Sequence, residues 1–196
     1  MSALKPLADW FGDLPQVILM DLDGTLVDSA ADIALSLNRA LADLGLGAVT
    51  EAQVRDWVGR GAARLIEVAL QHVVPHHGQD PQKHAVEARL LAAFMARYQD
   101  SVCEASTVYL GVAEFVAAAR NAGIRLACVT NKPYRPAVAL LEALNLLDAF
   151  ELVIGGDTLA HKKPHPEPLL HCLRHFEVTA AQALMVGDSR NDVDAA

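Results

Sequence analysis

The chain is poor in cysteine, in long apolar runs and in basic charge, and each shortage excludes a class of protein. Its three cysteines, Cys103, Cys128 and Cys172, are scattered and odd in number, which excludes a disulfide scaffold and predicts reduced thiols. The apolar run Val17–Met20 is far too short to span a bilayer. The formal net charge is −8 with no long run of one sign, which argues against a nucleic acid partner.

A secretory signal is also lacking in the sequence. The first 16 residues contain Asp9, Asp13 and two prolines, but no apolar stretch typical of such a signal. With the reduced cysteines, this predicts a cytoplasmic protein without membrane attachment. Hydrophobic residues make up 53% and charged residues 20% of the 196 residues, so we expect a globular protein rather than a disordered one. The length allows one sizeable domain or a domain with an insertion.

Four short apolar runs indicate buried parallel strands. Segments with helical periodicity lie between them, and a Gly, Asp or Asn follows each run. Strands alternating with helices predict an α/β fold, with a Rossmann-like, doubly wound parallel sheet. The strand runs are Val17–Met20, 124–129, Leu152–Ile154 and Ala183–Val186, and the helical segments are 110–122, 136–147 and 166–176.

The segment 30–106 interrupts this alternation. It has no clear strand and three helical stretches, at about 30–45, 62–74 and 80–98. Ser29 or Asp32 can cap the first of these helices. The segment therefore predicts a small helical domain inserted into a core made of residues 1–29 and 107–196.

Two carboxylates follow the first predicted strand in the motif Asp21-Leu22-Asp23-Gly24-Thr25. Carboxylates at the end of a buried strand are desolvated unless a cation or a proton joins them. Backbone N–H groups beside a glycine at a strand end are free to hold an anion. The motif therefore favours a hard metal ion, a phosphate and one carboxylate that is free to attack.

Polar clusters follow the other three predicted strands as well. They are Thr130-Asn131-Lys132-Pro133, Lys162-Lys163-Pro164-His165-Pro166 and Gly187-Asp188-Ser189-Arg190-Asn191-Asp192. The carboxyl ends of parallel strands face one edge of a sheet, and ligands bind there. We therefore expect six residues to converge on one crevice: Asp21, Asp23, Thr130, Lys163, Asp188 and Asp192.

Several residues near these motifs have a simpler structural interpretation. Taken singly, Asp23 and Asp188 can be turn or cap residues, and Lys132 and Lys162 are expected to be solvated, as surface lysines usually are. His171 and His175 are four residues apart on a predicted helix, a spacing that can bind zinc, but without a third ligand nearby an exposed helix face is favoured.

The ordered set of DLDGT, a Thr after the second strand, a Lys before Pro and GDSRNDV resembles the haloacid dehalogenase-type phosphatases. The resemblance covers most of the chain, because the helical insertion is similar to the small cap of that family. Within the family, the segments DLDGTLVDS, VTNKP, GGDTLAHKKPHPEPLL and VGDSRNDV are most similar to phosphoglycolate phosphatases.

The resemblance implies a role for each motif. Asp21 would attack phosphorus and form an aspartyl-phosphate, and Asp23 would act as general acid and base. Thr130 and Lys163 would bind and neutralise the phosphate. The implied cofactor is Mg²⁺, held by the Asp21 carboxylate, the Asp23 backbone carbonyl and Asp188, with Asp192 as a further metal-side carboxylate that acts directly, through water or through Lys163. Substrate binding would involve Gly24, Thr25 and Asn131 and the cap loop Gly59-Arg60-Gly61, in which Arg60 either pairs with a substrate carboxylate or is solvated in a helix–helix turn.

These roles predict an Mg²⁺-dependent phosphatase of a small phosphate ester, 2-phosphoglycolate first and a sugar phosphate or other metabolite second. The expected assembly is a monomer or a homodimer. A different class, a phospho-receiver switch, also uses acidic residues, a hydroxyl and a Lys at strand ends. That class would place its phosphorylated Asp after the third strand and lack the insertion. Because relatives continue beyond the last motif, we also expect the chain to be a shortened version of a longer product with a truncated sheet edge.

Overall fold

The computed structural model describes residues 4–76 and 81–196 of the chain. The described residues form two compact units, one comprising the residues up to Asp28 together with Thr107–Ala196, and the other Ser29–Ser106. The first division falls before Ser29, one residue earlier than expected. Ser29 belongs to the second unit because it is the N-cap of the following helix, and its carbonyl accepts a hydrogen bond from the Ile33 amide at 3.1 Å.

The order of helices and strands along the chain follows the expected alternation in the first unit. The elements are α1 (Lys5–Phe11), β1 (Val17–Met20), β2 (Val27–Asp28), α2 (Ala30–Asp43), α3 (Glu51–Trp57), α4 (Ala62–Val73), α5 (Lys83–Asp100), β3 (Thr107–Val108), α6 (Val112–Asn121), β4 (Arg125–Val129), α7 (Tyr134–Ala143), β5 (Leu152–Ile154), α8 (Glu167–Phe176), β6 (Ala183–Val186) and α9 (Arg190–Ala195). Single 3₁₀ turns precede β5 and β6.

The first unit is built on a parallel sheet with the order β5-β4-β1-β6. In its register, Val17 of β1 lies opposite Arg125 of β4 and Ala183 of β6. Every residue of the central strand β1 is buried, whereas those of the edge strand β6 are half-buried. Helices α6 and α7 lie against β4 and β5, and α8 packs on β1 and β4. The four predicted strands and the α/β parallel-sheet fold are confirmed.

A second, antiparallel pair of short strands was missed by the sequence reasoning. Strands β2 and β3 pair Val27 with Val108 and Asp28 with Thr107. Two residues are too few to show an alternating pattern, so no sequence signal marks these strands. They lie at the point where the chain leaves the first unit and returns to it.

The second unit consists of α2 to α5 around its own apolar core, which includes Leu37, Leu41, Leu70, Leu90 and Phe94. Helix α3 was not predicted, although its capping box of Thr50 and Gln53 is a recognisable sequence signal. The expected start of the last helix at Asp80 lies outside the described residues, and α5 runs from Lys83 to Asp100. Within 4–76 and 81–196, no helix combines the length and the apolar character that a membrane span needs.

A buried carboxylate connects the beginning and the end of the second unit. Asp32, in the first turn of α2, is fully buried. It accepts hydrogen bonds from the Ala105 amide at 2.8 Å, the Ser106 amide at 2.7 Å and the Ser106 hydroxyl at 2.5 Å. Asp32 is therefore not the cap of α2, and the N-cap residue is Ser29, the other of the two candidates. The carboxylate oxygens of Asp32 instead accept hydrogen bonds from Ala105 and Ser106, at the end of the second unit.

We expect Asp32→Ala to lower the free energy of unfolding by roughly 2–4 kcal/mol, because it deprives the buried amide and hydroxyl of Ser106 of their acceptor. Urea unfolding measures the change. Asp43→Ala is the matched control, since Asp43 pairs with Arg97 at 2.9 Å where both side chains are 40% or more exposed. Such a pair contributes at most about 1 kcal/mol. Equal losses in the two variants would contradict the structural role assigned to Asp32.

Candidate active site

Polar side chains from the carboxyl ends of the parallel strands lie together in the first unit. Asp21 and Asp23 follow β1, Thr130 follows β4, and Lys163 comes from the segment between β5 and α8. These four side chains are all buried, with residues exposed by 8% or less. Buried polar groups need partners. The site is therefore defined by the hydrogen bonds and ion pairs that satisfy them.

The Lys163 ammonium is the centre of the largest set of these contacts. Its Nζ atom lies 3.1 Å from Asp21 Oδ1 and 2.5 Å from Asp192 Oδ1. It also donates a hydrogen bond to the Val129 carbonyl oxygen at 2.5 Å. One buried cation thus joins the end of β1, the end of β4 and the start of α9.

Burial changes the acidity of Asp21. The pKa of its carboxyl is raised from 3.8 to about 6, chiefly by burial, while the Lys163 ammonium lowers it and the charges of Asp192 and Asp23 raise it. The Leu22 amide, which donates to Asp21 Oδ1 at 2.7 Å, also lowers this pKa. Burial therefore disfavours the ionised carboxylate more than the Lys163 ammonium favours it.

Asp188 is the exposed member of the group, and Thr25 and Gly24 adjoin it. The Thr25 hydroxyl donates a hydrogen bond to Asp188 Oδ1 at 2.9 Å. Gly24 has a positive φ of 88°, and the Asp188 carboxylate fills the space where a side chain at position 24 would start. Thr25 and Gly24, which were predicted to bind substrate, thus hold and make room for Asp188 in this structure.

Asp192 belongs to the first turn of α9 and is buried. Its Oδ2 atom accepts hydrogen bonds from the Ser189 amide at 3.0 Å and the Ser189 hydroxyl at 2.6 Å, which completes a capping box. Its Oδ1 atom contacts Lys163. Of the ways in which Asp192 was predicted to act, contact through Lys163 is present in this structure, and its carboxylate also belongs to the acidic group that could hold a metal ion.

The acidic residues also fit a divalent metal ion. One carboxylate oxygen from each of Asp21, Asp188 and Asp192 lies within 4.8 Å of the others. Carboxylate oxygens are the ligands that Mg²⁺ prefers, and the raised pKa of Asp21 indicates a buried carboxylate that a cation would stabilise. These three side chains can therefore hold such an ion.

The tripeptide after β4 contacts the rest of the site through consecutive residues. The Thr130 hydroxyl accepts a hydrogen bond from the Lys132 amide at 3.1 Å, so its own hydrogen can be donated to a ligand. The Asn131 side-chain amide donates to the Lys163 carbonyl oxygen at 2.9 Å. Asn131, predicted to bind substrate, fixes the backbone of Lys163 in this structure.

The prediction that Lys132 is solvated is wrong. Its side chain is 4% exposed, and Nζ lies 2.9 Å from Asp23 Oδ1 and 3.2 Å from Asp23 Oδ2. A Lys after a strand end is normally at the surface, and no periodicity sets where its long side chain points. Lys162, the other lysine expected to be solvated, is half-buried.

Some candidate residues lie elsewhere. The loop between α3 and α4 in the second unit contains Gly59, Arg60 and Gly61. Both glycines have positive φ, and Arg60 is exposed.

In the described part of the chain, the other grouping of potential metal ligands is His161, His165 and Glu167, which sequence reasoning missed. There Glu167 accepts a hydrogen bond from the His161 amide at 2.8 Å and pairs with the His161 ring at 2.9 Å. His171 and His175 are in neither grouping.

The family model and the individual sequence relatives agree on one family. The family model described as haloacid dehalogenase-like hydrolase matches residues 18–196. The phosphoglycolate phosphatase of Nitrosococcus oceani is 43% identical over 182 residues, covering 93% of this chain and 79% of that protein. The phosphoglycolate phosphatase of Colwellia psychrerythraea is 44% identical over 181 residues, covering 92% of this chain and 79% of that protein.

Solved structures agree with the sequence relatives. A protein described as a predicted phosphoglycolate phosphatase from Haemophilus somnus superposes with a TM-score of 0.82 at 34% identity, covering 92% of this chain and 80% of that one. CbbY from Rhodobacter sphaeroides, solved in complex with phosphate, has a TM-score of 0.76 at 27% identity. The match covers 93% of this chain and 81% of that one. With the motifs of its sequence gathered at one edge of a parallel sheet and these matches along nearly its whole length, the chain belongs to the haloacid dehalogenase-like hydrolases.

Proposed function

We propose that this phosphoric monoester hydrolase depends on Mg²⁺ and converts 2-phosphoglycolate to glycolate and phosphate through an aspartyl-phosphate on Asp21. One observation carries the proposal. Two carboxylates two residues apart, Asp21 and Asp23, lie at the end of the central strand, and each pairs with a different buried lysine. Two like groups in different surroundings can take the two different roles that this reaction needs.

Asp21 is proposed as the nucleophile. One of its carboxylate oxygens would attack phosphorus, and the bond from phosphorus to the ester oxygen would break. Lys163, 3.1 Å from Asp21 Oδ1, is placed to offset charge on the transferred group. The Thr130 hydroxyl, which accepts from the Lys132 amide, has its hydrogen available for a phosphate oxygen.

Asp23 is proposed as the general acid and base. Its protonated carboxyl would give a proton to the leaving alkoxide oxygen, and the resulting carboxylate would then take a proton from the water that attacks the aspartyl-phosphate. This second attack releases inorganic phosphate and restores Asp21. Bound at Asp21, Asp188 and Asp192, with the Asp23 carbonyl as a further proposed ligand, Mg²⁺ would supply positive charge that lets a phosphate dianion approach these carboxylates.

The choice of 2-phosphoglycolate is supported by the relatives named phosphoglycolate phosphatase at 43–44% identity. A small substrate with a carboxylate needs a cation near its leaving group, and we propose that Arg60, in the loop Gly59-Arg60-Gly61, provides it. A sugar phosphate is the second candidate, because CbbY is also known in complex with xylulose-(1,5)bisphosphate at 27% identity to this chain.

The Asp21→Asn variant tests the reaction class. We expect release of phosphate from 2-phosphoglycolate to need added Mg²⁺, to stop with a chelator, and to fall by at least about 10³-fold in the variant, because an amide cannot replace the nucleophile. Asp13→Asn, which changes an exposed carboxylate, is the control and keeps full activity.

Three outcomes of that assay count against the proposal. A stable phosphoprotein without phosphate release points to a phospho-receiver switch. A higher kcat/KM for xylulose 1,5-bisphosphate or a hexose phosphate than for 2-phosphoglycolate points to the sugar phosphate alternative. An unaffected Asp21→Asn variant removes the assigned nucleophile.

Arg60→Met tests the leaving-group contact. If the Arg60 guanidinium pairs with the substrate carboxylate, KM for 2-phosphoglycolate rises about 10-fold or more, whereas KM for ethyl phosphate, which has no carboxylate, stays unchanged. Arg64→Met is the matched control, because the Arg64 side chain is 40% exposed and pairs with Glu67 at 2.5 Å. An equal rise in KM for both esters would rule out recognition of the carboxylate.

The pKa of Asp21 gives a pH dependence of stability in metal-free protein. Because burial raises this pKa from 3.8 to about 6, folded Asp21 holds a proton between these pH values while unfolded Asp21 does not, so stability falls as pH rises from about 4 to about 6 and then levels off. Asp21→Asn lacks this loss. We expect it to gain on the order of 3 kcal/mol over wild type across that range, since each pKa unit corresponds to about 1.4 kcal/mol.

Urea unfolding in chelator from about pH 4 to pH 8 measures this difference, with Asp13→Asn as the exposed control. A difference between Asp21→Asn and wild type that does not change with pH would show that burial does not raise the Asp21 pKa.

A further inference from the structure

Lys132 is a buried cation whose contacts reach the proposed acid/base. Its side chain is 4% exposed, and the side chain of Asp23, its partner, is 9% exposed. Lysine is rarely buried in proteins unless it is paired. The ammonium approaches both carboxylate oxygens, at 2.9 and 3.2 Å, so it constrains the orientation of the carboxylate plane as well as its position.

The backbone of Lys132 is held on both sides. Its amide donates to the Thr130 hydroxyl at 3.1 Å, and its carbonyl accepts from the Gly156 amide at 2.8 Å. The turn at Gly156 packs so closely that a side chain there would collide with the Asn131 carbonyl oxygen. The ammonium therefore extends from a fixed backbone, which makes it a defined reference point for Asp23.

Asp23 needs such a reference point. It lies in the turn after β1, next to Gly24 with its positive φ. The terminal torsion of an Asp side chain has broad minima, so backbone geometry alone does not orient the carboxylate. A general acid must come within about 2.6–3.2 Å of the oxygen that it protonates, and a displacement of about 1 Å can cost 10²-fold in rate.

We propose that Lys132 is the positioning residue of Asp23, acting on the protonation of the leaving oxygen and the deprotonation of water. The proposal rests on the acid/base function proposed above for Asp23. It divides the two buried lysines between the two carboxylates: Lys163 serves Asp21 and the phosphate, and Lys132 serves the step that depends on the leaving group.

The dependence of the reaction rate on the leaving group tests this division of roles between Lys163 and Lys132. Lys132→Met should lower kcat/KM for 2-phosphoglycolate, whose alkoxide needs a proton, by about 10²-fold. For 2,4-dinitrophenyl phosphate, whose phenolate leaves without a proton, the pre-steady-state burst of dinitrophenolate reports phosphorylation of Asp21 alone. We expect Lys132→Met to change that burst rate by less than about threefold, because no acid is required in that step.

A double-mutant cycle with Asp23→Asn separates positioning from a general structural effect. If Lys132 acts through Asp23, adding Lys132→Met to Asp23→Asn causes little further loss of 2-phosphoglycolate turnover. Lys162→Met removes a neighbouring half-buried lysine and should leave both esters unaffected. Lys132→Arg should restore more of the loss on 2-phosphoglycolate than Lys132→Gln does, because it keeps a cation beside Asp23. If Lys132→Met does not fold, the Gln and Arg variants carry the same comparison.

The proposal is overturned if replacement of Lys132 slows both esters equally, or if its effect multiplies with that of Asp23→Asn. These results differ from a failure of the proposed function, in which the wild-type protein itself releases no phosphate from either ester.

Discussion

The contacts of the Lys163 ammonium are the constraint on which the site depends. Carboxylates from the end of β1 and the start of α9 and the last carbonyl of β4 all approach one buried cation. Without it, Asp21 and Asp192 would be like charges close together at low exposure, which is costly. The Lys163 contacts therefore hold together three segments that are far apart in sequence, and they fix where Asp21, the proposed nucleophile, lies relative to Asp192.

The same local charge balance explains why two similar carboxylates can behave differently. Asp21 lies beside Asp192 and Asp188 and shares Lys163 with Asp192, so its group is rich in negative charge. Asp23 has the Lys132 ammonium against both of its oxygens. Four carboxylates and two ammonium groups leave an excess of two negative charges when all are ionised, which is the charge that one divalent cation offsets. The excess lies on the Asp21 side.

The sequence predicted the sheet well because its signals are local. Four apolar runs ending in polar residues specify the parallel strands, and the topology brings their ends together. The sequence could not predict side-chain direction beyond a strand end, which is why Lys132 was expected in solvent. The contact of Asp32 with Ser106 spans 74 residues and has no local signal either. Helix α3 was missed because seven residues are too few for helical periodicity to stand out, even with a capping box.

The glycines of the motifs have a spatial function that composition does not reveal. The space beside Gly24 is taken by the Asp188 carboxylate, that beside Gly187 by the Asp192 carboxyl group, and that beside Gly156 by the Asn131 carbonyl oxygen. Gly24 also needs its positive φ, but for Gly187 and Gly156 the close approach alone is sufficient reason. A Cβ at any of the three would displace a group that holds the site together. The glycines thus let buried carboxylates and lysines approach within hydrogen-bond distance. This packing requires glycine at these positions whether or not the glycines contact substrate.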